Sequence, residues 1–445
     1  METSHIAQST ITGAKRMRIR LGIGLLTLVV TSACNTSLDL TNPNSPTEQA
    51  ALSSVDGVVA TSLGMQAQFA VSTLIYVRAP ALVTDEWGTA SKALAADLSL
   101  FTGEGIDPSY GVVSEPYYVT YRVGRTADAI INAVPAIGGL SAGFTAGLTA
   151  NAKLFKAMAL GMAALQYAQL PLTSSIAGST PVPRAQALAE VIRLLESARS
   201  DIQPSSDADL AGFTTRALTS SFDLRNTIDA MLARYYLYTA QYSKALEAAN
   251  RVDLTKVSLL TFPDPDLNQI YNYSVVAGYV APLKSWADQA EPGDKRVGFW
   301  VDTTGTKPNG NPPTLKLVPF KFYGVRNAPF PVYLPGEVLL IRAEVEARTN
   351  SLPVAIADIN AVRTKAGTAN TPGAQLPALT ALQLDTQDKV LKQIAYERRY
   401  ELFSQGLRWE DLRRLGTLVG VQPKAAFLPM PQGECNTNPN ANCGV

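Results

Sequence analysis

Gly336-Glu337-Val338-Leu339-Leu340-Ile341-Arg342-Ala343-Glu344-Val345-Glu346-Ala347-Arg348 is followed, after four residues, by Pro353-Val354-Ala355-Ile356-Ala357-Asp358-Ile359-Asn360-Ala361-Val362-Arg363-Thr364-Lys365-Ala366. Both stretches have helical periodicity, and the second opens on a proline, which is tolerated in a helix's first turn. Ala343 and Ala355 stand twelve positions apart, with Ile359 and Val362 following. A small residue in each helix of a hairpin, one crossing apart, lets the two backbones pack closely. Phe222 to Ala240 and Ser243 to Val252 repeat the arrangement, with Ala233 and Ala245 also twelve apart and Tyr236 and Ala249 around them.

This spacing resembles the tetratricopeptide hairpin, although no regular period of about 34 residues joins the pairs. Further helices are expected over Thr47 to Val71, Tyr117 to Val134, Asn151 to Leu170, Arg184 to Ile202 and Thr386 to Phe403. In Arg184 to Ile202, Leu188, Val191, Ile192, Leu195 and Ala198 fall on one face. The chain is expected to be mainly α, with imperfect tetratricopeptide-like units embedded in one globule over 48–445. Two stretches break the helical pattern, near 78–115 and 254–335. They are rich in Gly, Pro, Asn, Asp and aromatics. Loops this long in a domain are usually functional, so a binding surface is expected there.

The chain has 445 residues, 46% hydrophobic and 17% charged, enough apolar material for a large core. Its single histidine, His5, precedes an apolar run at 21–30. If that run is removed with everything before it, no imidazole remains. That excludes Ser-His-Asp and Cys-His catalysis and the HExxH zinc site. Carboxylate-only chemistry, as in glycosidases, survives this exclusion. Lys15, Arg16, Arg18 and Arg20 are four of the 38 basic residues and Glu2 is one of the 37 acidic ones, so 34 against 36 remain beyond them. A near-neutral chain lacks the basic excess that nucleic-acid binding needs.

Lys15-Arg16-Met17-Arg18-Ile19-Arg20 followed by the apolar Leu21 to Val30 has the form of an export signal, expected over 17–33, with Met17 a candidate start. Thr31-Ser32-Ala33 leads directly into Cys34, which resembles a bacterial lipoprotein cleavage site, although Thr31 stands where an aliphatic residue is usual. Cys34 is then the lipidation site, and 34–47 a polar leash fastening a soluble body to a membrane. No later run suggests a transmembrane span. Cys435 and Cys443, eight apart, are expected to close a small disulfide loop in an exported protein.

Other motifs carry less chemistry. Gly139-Leu140-Ser141-Ala142-Gly143 matches the G-x-S-x-G pattern but sits between helices with no histidine to activate the serine. Asp264-Pro265-Asp266-Leu267-Asn268 imitates the opening of a calcium loop, yet Gln269 and Val275 occupy the positions of its Gly and Glu. No cofactor or metal is expected. The loop aromatics Trp87, Tyr110, Tyr271, Tyr273, Trp286, Trp300 and Tyr323 are the candidate ligand-binding residues, with Tyr279 among the same set. Flat rings with polar edges stack on sugar rings or peptide side chains, but Tyr and Trp also serve as buried supports for long loops. The densest charged block runs from Tyr396 to Arg414. Within it Glu397, Arg398, Arg399, Glu401, Arg408, Asp411 and Arg413 are expected to form an ion-pair network clamping two helices.

Five stretches together resemble the SusD/RagB family of outer-membrane nutrient-binding lipoproteins. They are Leu38-Asp39-Leu40-Thr41-Asn42-Pro43 after Cys34; Pro181-Val182-Pro183-Arg184; Leu339-Leu340-Ile341-Arg342-Ala343-Glu344 with Ile359-Asn360-Ala361-Val362-Arg363-Thr364-Lys365-Ala366-Gly367; Glu397-Arg398-Arg399 through Arg408-Trp409-Glu410-Asp411-Leu412-Arg413-Arg414; and Leu428-Pro429-Met430-Pro431 with Asn438-Pro439-Asn440. Gln405 stands where the family usually has Glu. The resemblance implies a SusD-like fold with four tetratricopeptide-like helix pairs beside a loop-rich face. It also implies a lipid-anchored, non-catalytic role on the outer membrane, gripping oligosaccharides or peptides for a TonB-dependent β-barrel transporter. A protein-assembly scaffold and a carboxylate-only glycosidase are the competing readings.

Overall fold

A computed structural model describes residues 51–173, 178–219, 221–441 and 443. The expected signal segment, Cys34 and the leash lie outside the described residues. The first helices are α1 (Val55–Val71) and α2 (Thr73–Val83), followed by α3 (Ala95–Thr102), α4 (Gly111–Ala133) and α5 (Ala142–Ala164). Next come α6 (Arg184–Ile202), α7 (Asp207–Ala217), α8 (Leu224–Tyr238) and α9 (Tyr242–Arg251). Short helices α10 (Gln269–Tyr271), α11 (Lys284–Asp288) and α12 (Lys295–Trp300) lie in the second loop region. Then follow α13 (Pro335–Arg348), α14 (Leu352–Thr364), α15 (Gln387–Glu401), α16 (Arg408–Val419) and α17 (Gln432–Thr437).

Successive helices pair as α4–α5, α8–α9, α13–α14 and α15–α16, and α5 and α6 also lie side by side. Ala233, Ala245, Ala343 and Ala355 are all fully buried, as the hairpin spacing requires. Gly336, at the start of α13, makes room for a side chain of α15: a Cβ there would meet Glu401 Oε1 at 2.0 Å. The helix starts follow local capping chemistry. Ser54 accepts from the Gly57 amide, Ser141 from Phe144 and Thr386 from Lys389. Ser141 of the G-x-S-x-G stretch is therefore an N-cap, and Asn268 of the calcium-like stretch caps α10 by accepting from Ile270.

Several sequence expectations need correcting. The first non-helical stretch does not begin near residue 78: α1 and α2 break only at Ser72 and run on to Val83. This 29-residue run is long and apolar enough to span a membrane by length and composition, but half of its most apolar window is buried inside the fold. It is a core element. α4 begins six residues before the expected Tyr117 and carries Pro116 within its first turns. α5 begins nine residues before the expected Asn151 and ends at Ala164 rather than Leu170.

Strands are few and short. β1 (Trp87–Thr89) pairs antiparallel with β5 (Val280–Pro282), placing Trp87 opposite Pro282 and Thr89 opposite Val280. β2 (Gln169–Leu170) pairs with β3 (Val182–Pro183), and β4 (Leu259–Leu260) with β6 (Phe330–Pro331). The β1–β5 ribbon joins the two loop-rich regions. A further bridge from Ala90 to Gly310 extends the junction.

Candidate functional site

Four of the seven predicted ligand-binding aromatics are not at the surface. Trp87, Trp286, Trp300 and Tyr323 each have 0% of their surface exposed. They form a core beneath the loops, with Trp286 and Phe403 ring centroids 4.0 Å apart, Trp87 and Phe320 5.5 Å, and Trp300 and Tyr323 5.9 Å. The polar atoms of three of them are taken up at one helix end, whereas Trp286 Nε1 has no hydrogen-bond partner among the described residues. Trp87 Nε1 donates to Ser404 Oγ (2.8 Å), Trp300 Nε1 to the Tyr400 carbonyl (2.9 Å), and Gln405 Nε2 donates to the Tyr323 hydroxyl (2.8 Å). Long loops have too little secondary structure to hold themselves, and bulky rings with one polar atom each bind them to α15. These four residues lie beneath the surface and support it.

Tyr271 and Tyr273 remain partly exposed, on α10 and the single π-turn Asn272–Val276 that continues it. Tyr273 is held on three sides. Its hydroxyl donates to Asp97 Oδ2 (2.7 Å), the Arg78 guanidinium lies 4.4 Å from its ring centroid, and the Tyr279 ring meets it edge-on at 4.9 Å. Arg78 Nε in turn donates to Asp97 Oδ1 at 2.6 Å, and the Leu94 amide closes α3 onto the same carboxylate. Burial raises the Tyr273 hydroxyl pKa, and Arg78 works against that rise. The hydroxyl therefore stays protonated at neutral pH, as the hydrogen bond to Asp97 requires. Lys92, Leu94, Val275 and Val276 are exposed around this group, with the Lys92 stem beside Gly278. The result is a rigid aromatic patch with charged groups at hand. Tyr110, partly buried just before α4, packs on the core and is not joined to this patch by any described contact.

Sequence reading missed Arg78 and Asp97, which sit in a helix and a capping position that look structural. It also missed a second concavity. A cleft of about 200 Å³ lies where Tyr117, Tyr118 and Tyr121 of α4 face Glu434 and Asn438 at the carboxyl end. Cys435 and Cys443 form the expected disulfide, Cα atoms 5.8 Å apart, and so fasten the helix that carries Glu434. Among the described residues no cluster of three or more His, Cys, Asp or Glu is arranged to hold a metal ion.

The charged block is an interlocked network wider than the sequence suggested. Arg398 Nε lies 2.9 Å from both Asp411 oxygens. Glu397 meets Arg363 (2.8 Å) and Arg296 (2.7 Å), and Glu401 takes Lys365. Arg413 reaches Glu410 at 2.9 Å and stacks between Trp409 and Phe427, at 4.7 and 4.3 Å. Arg184, of the Pro181 to Arg184 stretch, pairs with Glu410 at 2.6 Å. Arg399 departs from the expected clamp: it donates to Gln289 (2.7 Å) near the surface. Arg408 has no described ion pair, and burial with Arg399 nearby lowers its pKa to about 10. The quoted motif segments thus find one another in space, since Arg363 and Lys365 from one pair with Glu397 and Glu401 of the next.

Residues 282–426, which hold most of this network, match the family model described as the SusD family. The whole described fold is shared with solved structures. A SusD superfamily protein from Bacteroides thetaiotaomicron VPI-5482 superposes with a TM-score of 0.67 at 15% identity, covering 87% of this chain and 99% of that one. B. fragilis NanU gives a TM-score of 0.67 at 14% identity over 90% of this chain and 98% of its own. The surface glycan-binding protein A from Bacteroides fluxus gives 0.61 at 16% identity, over 88% and 98%. No curated protein is similar enough in sequence to count as a relative. The architecture is therefore the SusD-like one, a mainly α scaffold of helical hairpins carrying a loop-built face. Over 282–426 the chain thus carries the SusD family's sequence pattern, and its described fold is the SusD-like one.

Proposed function

We propose that this protein is a non-catalytic surface lipoprotein that captures oligosaccharides and passes them to a TonB-dependent outer-membrane transporter. The observation that carries the reading is the Tyr273 group: a ring clamped by Arg78, Asp97 and Tyr279 on the loop face of a SusD-like scaffold. Pre-ordering matters because a ring that is already fixed loses little freedom when a sugar stacks on it. Each aromatic contact contributes roughly 1 kcal/mol beyond area burial, and each hydrogen bond to a hydroxyl about 1 kcal/mol. Several together reach about −8 kcal/mol, a micromolar Kd. Solved relatives described as a putative sugar binding protein and as a SusD-like carbohydrate binding protein support carbohydrate as the cargo.

In this reading Cys34 carries the lipid, 17–33 is the cleaved signal and 34–47 the leash. Incubation with a panel of oligosaccharides and peptides tests the cargo. Retention of a glycan without new reducing ends supports the proposal. Turnover makes the protein a glycosidase, selective peptide retention changes the cargo, and no retention of either leaves a protein-binding scaffold. Cys34→Ser should release the protein from the membrane fraction; unchanged membrane attachment would remove the lipid anchor from the reading.

A further inference from the structure

The cleft between the start of α4 and the carboxyl end is built from other elements than the loop-face patch. Tyr117 is its floor. The ring is 2% exposed and meets Tyr121 at 4.9 Å, Tyr118 at 5.8 Å and Tyr167 at 5.6 Å. Its hydroxyl is buried beside Glu434 and the Tyr121 hydroxyl and makes no well-aligned hydrogen bond among the described residues. A buried polar atom in that state is costly unless something that enters the cleft completes it. Tyr118 is 41% exposed at the rim, and Tyr121 is fixed by donating to the Pro171 carbonyl at 2.8 Å. Gly433 lies close to this rim: a Cβ there would fall 2.3 Å from the Tyr118 hydroxyl.

Facing these rings is Glu434. Asn438 donates to it, and no ion pair to it is formed among the described residues. Lys156 of α5 is held by Asp128 at 2.7 Å, and Arg125 of α4 has a partner of its own. Asn438 Nδ2 also donates to the Ser179 carbonyl (2.8 Å), so the acidic wall is pinned, with the Cys435–Cys443 bridge immediately behind it. Three electron-rich ring systems and one carboxylate, with no Lys or Arg among the described residues that line the cleft, make a site whose field favours positive charge. We infer that this cleft binds a primary ammonium group on a small ligand, supplied by an amino sugar or by a peptide amine.

Calorimetric titration of the full chain with glucosamine, N-acetylglucosamine and lysine amide tests the inference. Glucosamine or lysine amide should bind at least tenfold more tightly than N-acetylglucosamine, whose nitrogen carries no charge, and the preferred ammonium probe identifies the source. Glu434→Gln and, separately, Tyr118→Leu should each weaken that binding at least tenfold. Melting temperature and far-UV circular dichroism should match the parent. Tyr273→Ala should leave it unchanged, which separates this site from the loop face. Equal affinity for the charged and uncharged sugars, no binding of either ammonium probe, or affinity unmoved in both variants would overturn the inference.

Discussion

Arg414 Nη1 sits 2.6 Å from Glu344 Oε1, although seventy positions separate them in the chain. The contact joins α16 to α13. Arg348 shares the Glu344 carboxylate at 2.9 Å, and Arg414 also reaches Asp411 at 3.0 Å. Glu344 is completely buried, so removing Arg414 leaves that interior charge with the partly exposed Arg348 alone. Arg414→Met should therefore cost about 3–5 kcal/mol in chemical denaturation. The double variant Glu344→Gln with Arg414→Met should recover much of that loss. A cost below about 1 kcal/mol for the single change would show that the pair is solvated in solution.

The same network sets the response to acid. Burial raises the pKa of Asp411 and of Glu344, but Arg398 and Arg414 at Asp411, and Arg414 and Arg348 at Glu344, more than reverse it, so both end lowered. A carboxylate whose folded pKa lies below its unfolded value of about 4 stabilises the fold above that value and loses the contribution as pH falls through the folded one. Stability should thus drop steeply below about pH 4, with protons taken up on unfolding. Melting temperatures from pH 6 to pH 2.5 check this. A flat profile through pH 3 would contradict it.

The hairpin alanines give a packing test. Ala343 and Ala355 are fully buried at the α13–α14 contact, and nothing there can yield without moving backbone. Ala355→Leu should destabilise by about 1–3 kcal/mol through overpacking. The exposed Val354→Leu, one position away, should change stability by less than about 0.5 kcal/mol. Urea midpoints of the two variants decide it.

The helical hairpins were legible because helix periodicity and the twelve-residue alanine spacing are local signals. The failures have local causes too. Gly139 to Gly147 looks like a linker, yet a Cβ on Gly143 would lie 2.2 Å from the Asp209 carbonyl and one on Gly147 2.4 Å from the Phe213 ring. Those glycines serve the close approach of α7 to α5, which depends on a partner more than sixty residues away. The non-helical stretch placed near 78–115 starts too early for a similar reason: α2 runs through Pro80 to Val83, because tertiary packing of a buried helix outweighs a single missing amide. The aromatics divide most sharply. Nothing in composition separates Trp87, whose indole nitrogen is consumed by Ser404, from Tyr273, whose ring stays within reach of solvent. That difference is made by contacts 317 positions distant in the chain.

Glu86 provides the last test, with the opposite sign from Asp411. It is 2% exposed, accepts from the Ser404 amide at 3.3 Å through Oε1, and its Oε2 has no hydrogen-bond partner among the described residues. Burial pushes its pKa up to about 8 despite Arg408 nearby. The folded state therefore holds a proton that the unfolded chain releases above about pH 4. Stability from this group is complete below that value and is lost as pH rises through about 8. Glu86→Gln keeps an oxygen for Ser404 and cannot ionise, so the variant should outlast the parent at pH 9 and differ little from it at pH 5. Because Ser404 also receives the Trp87 indole, ionisation of Glu86 acts where the loop-face support is tied to α15. Loss of the parent's melting temperature between pH 6 and 9, absent in the variant, is the expected result. Parallel profiles for the two proteins would show that Glu86 is already ionised at neutral pH.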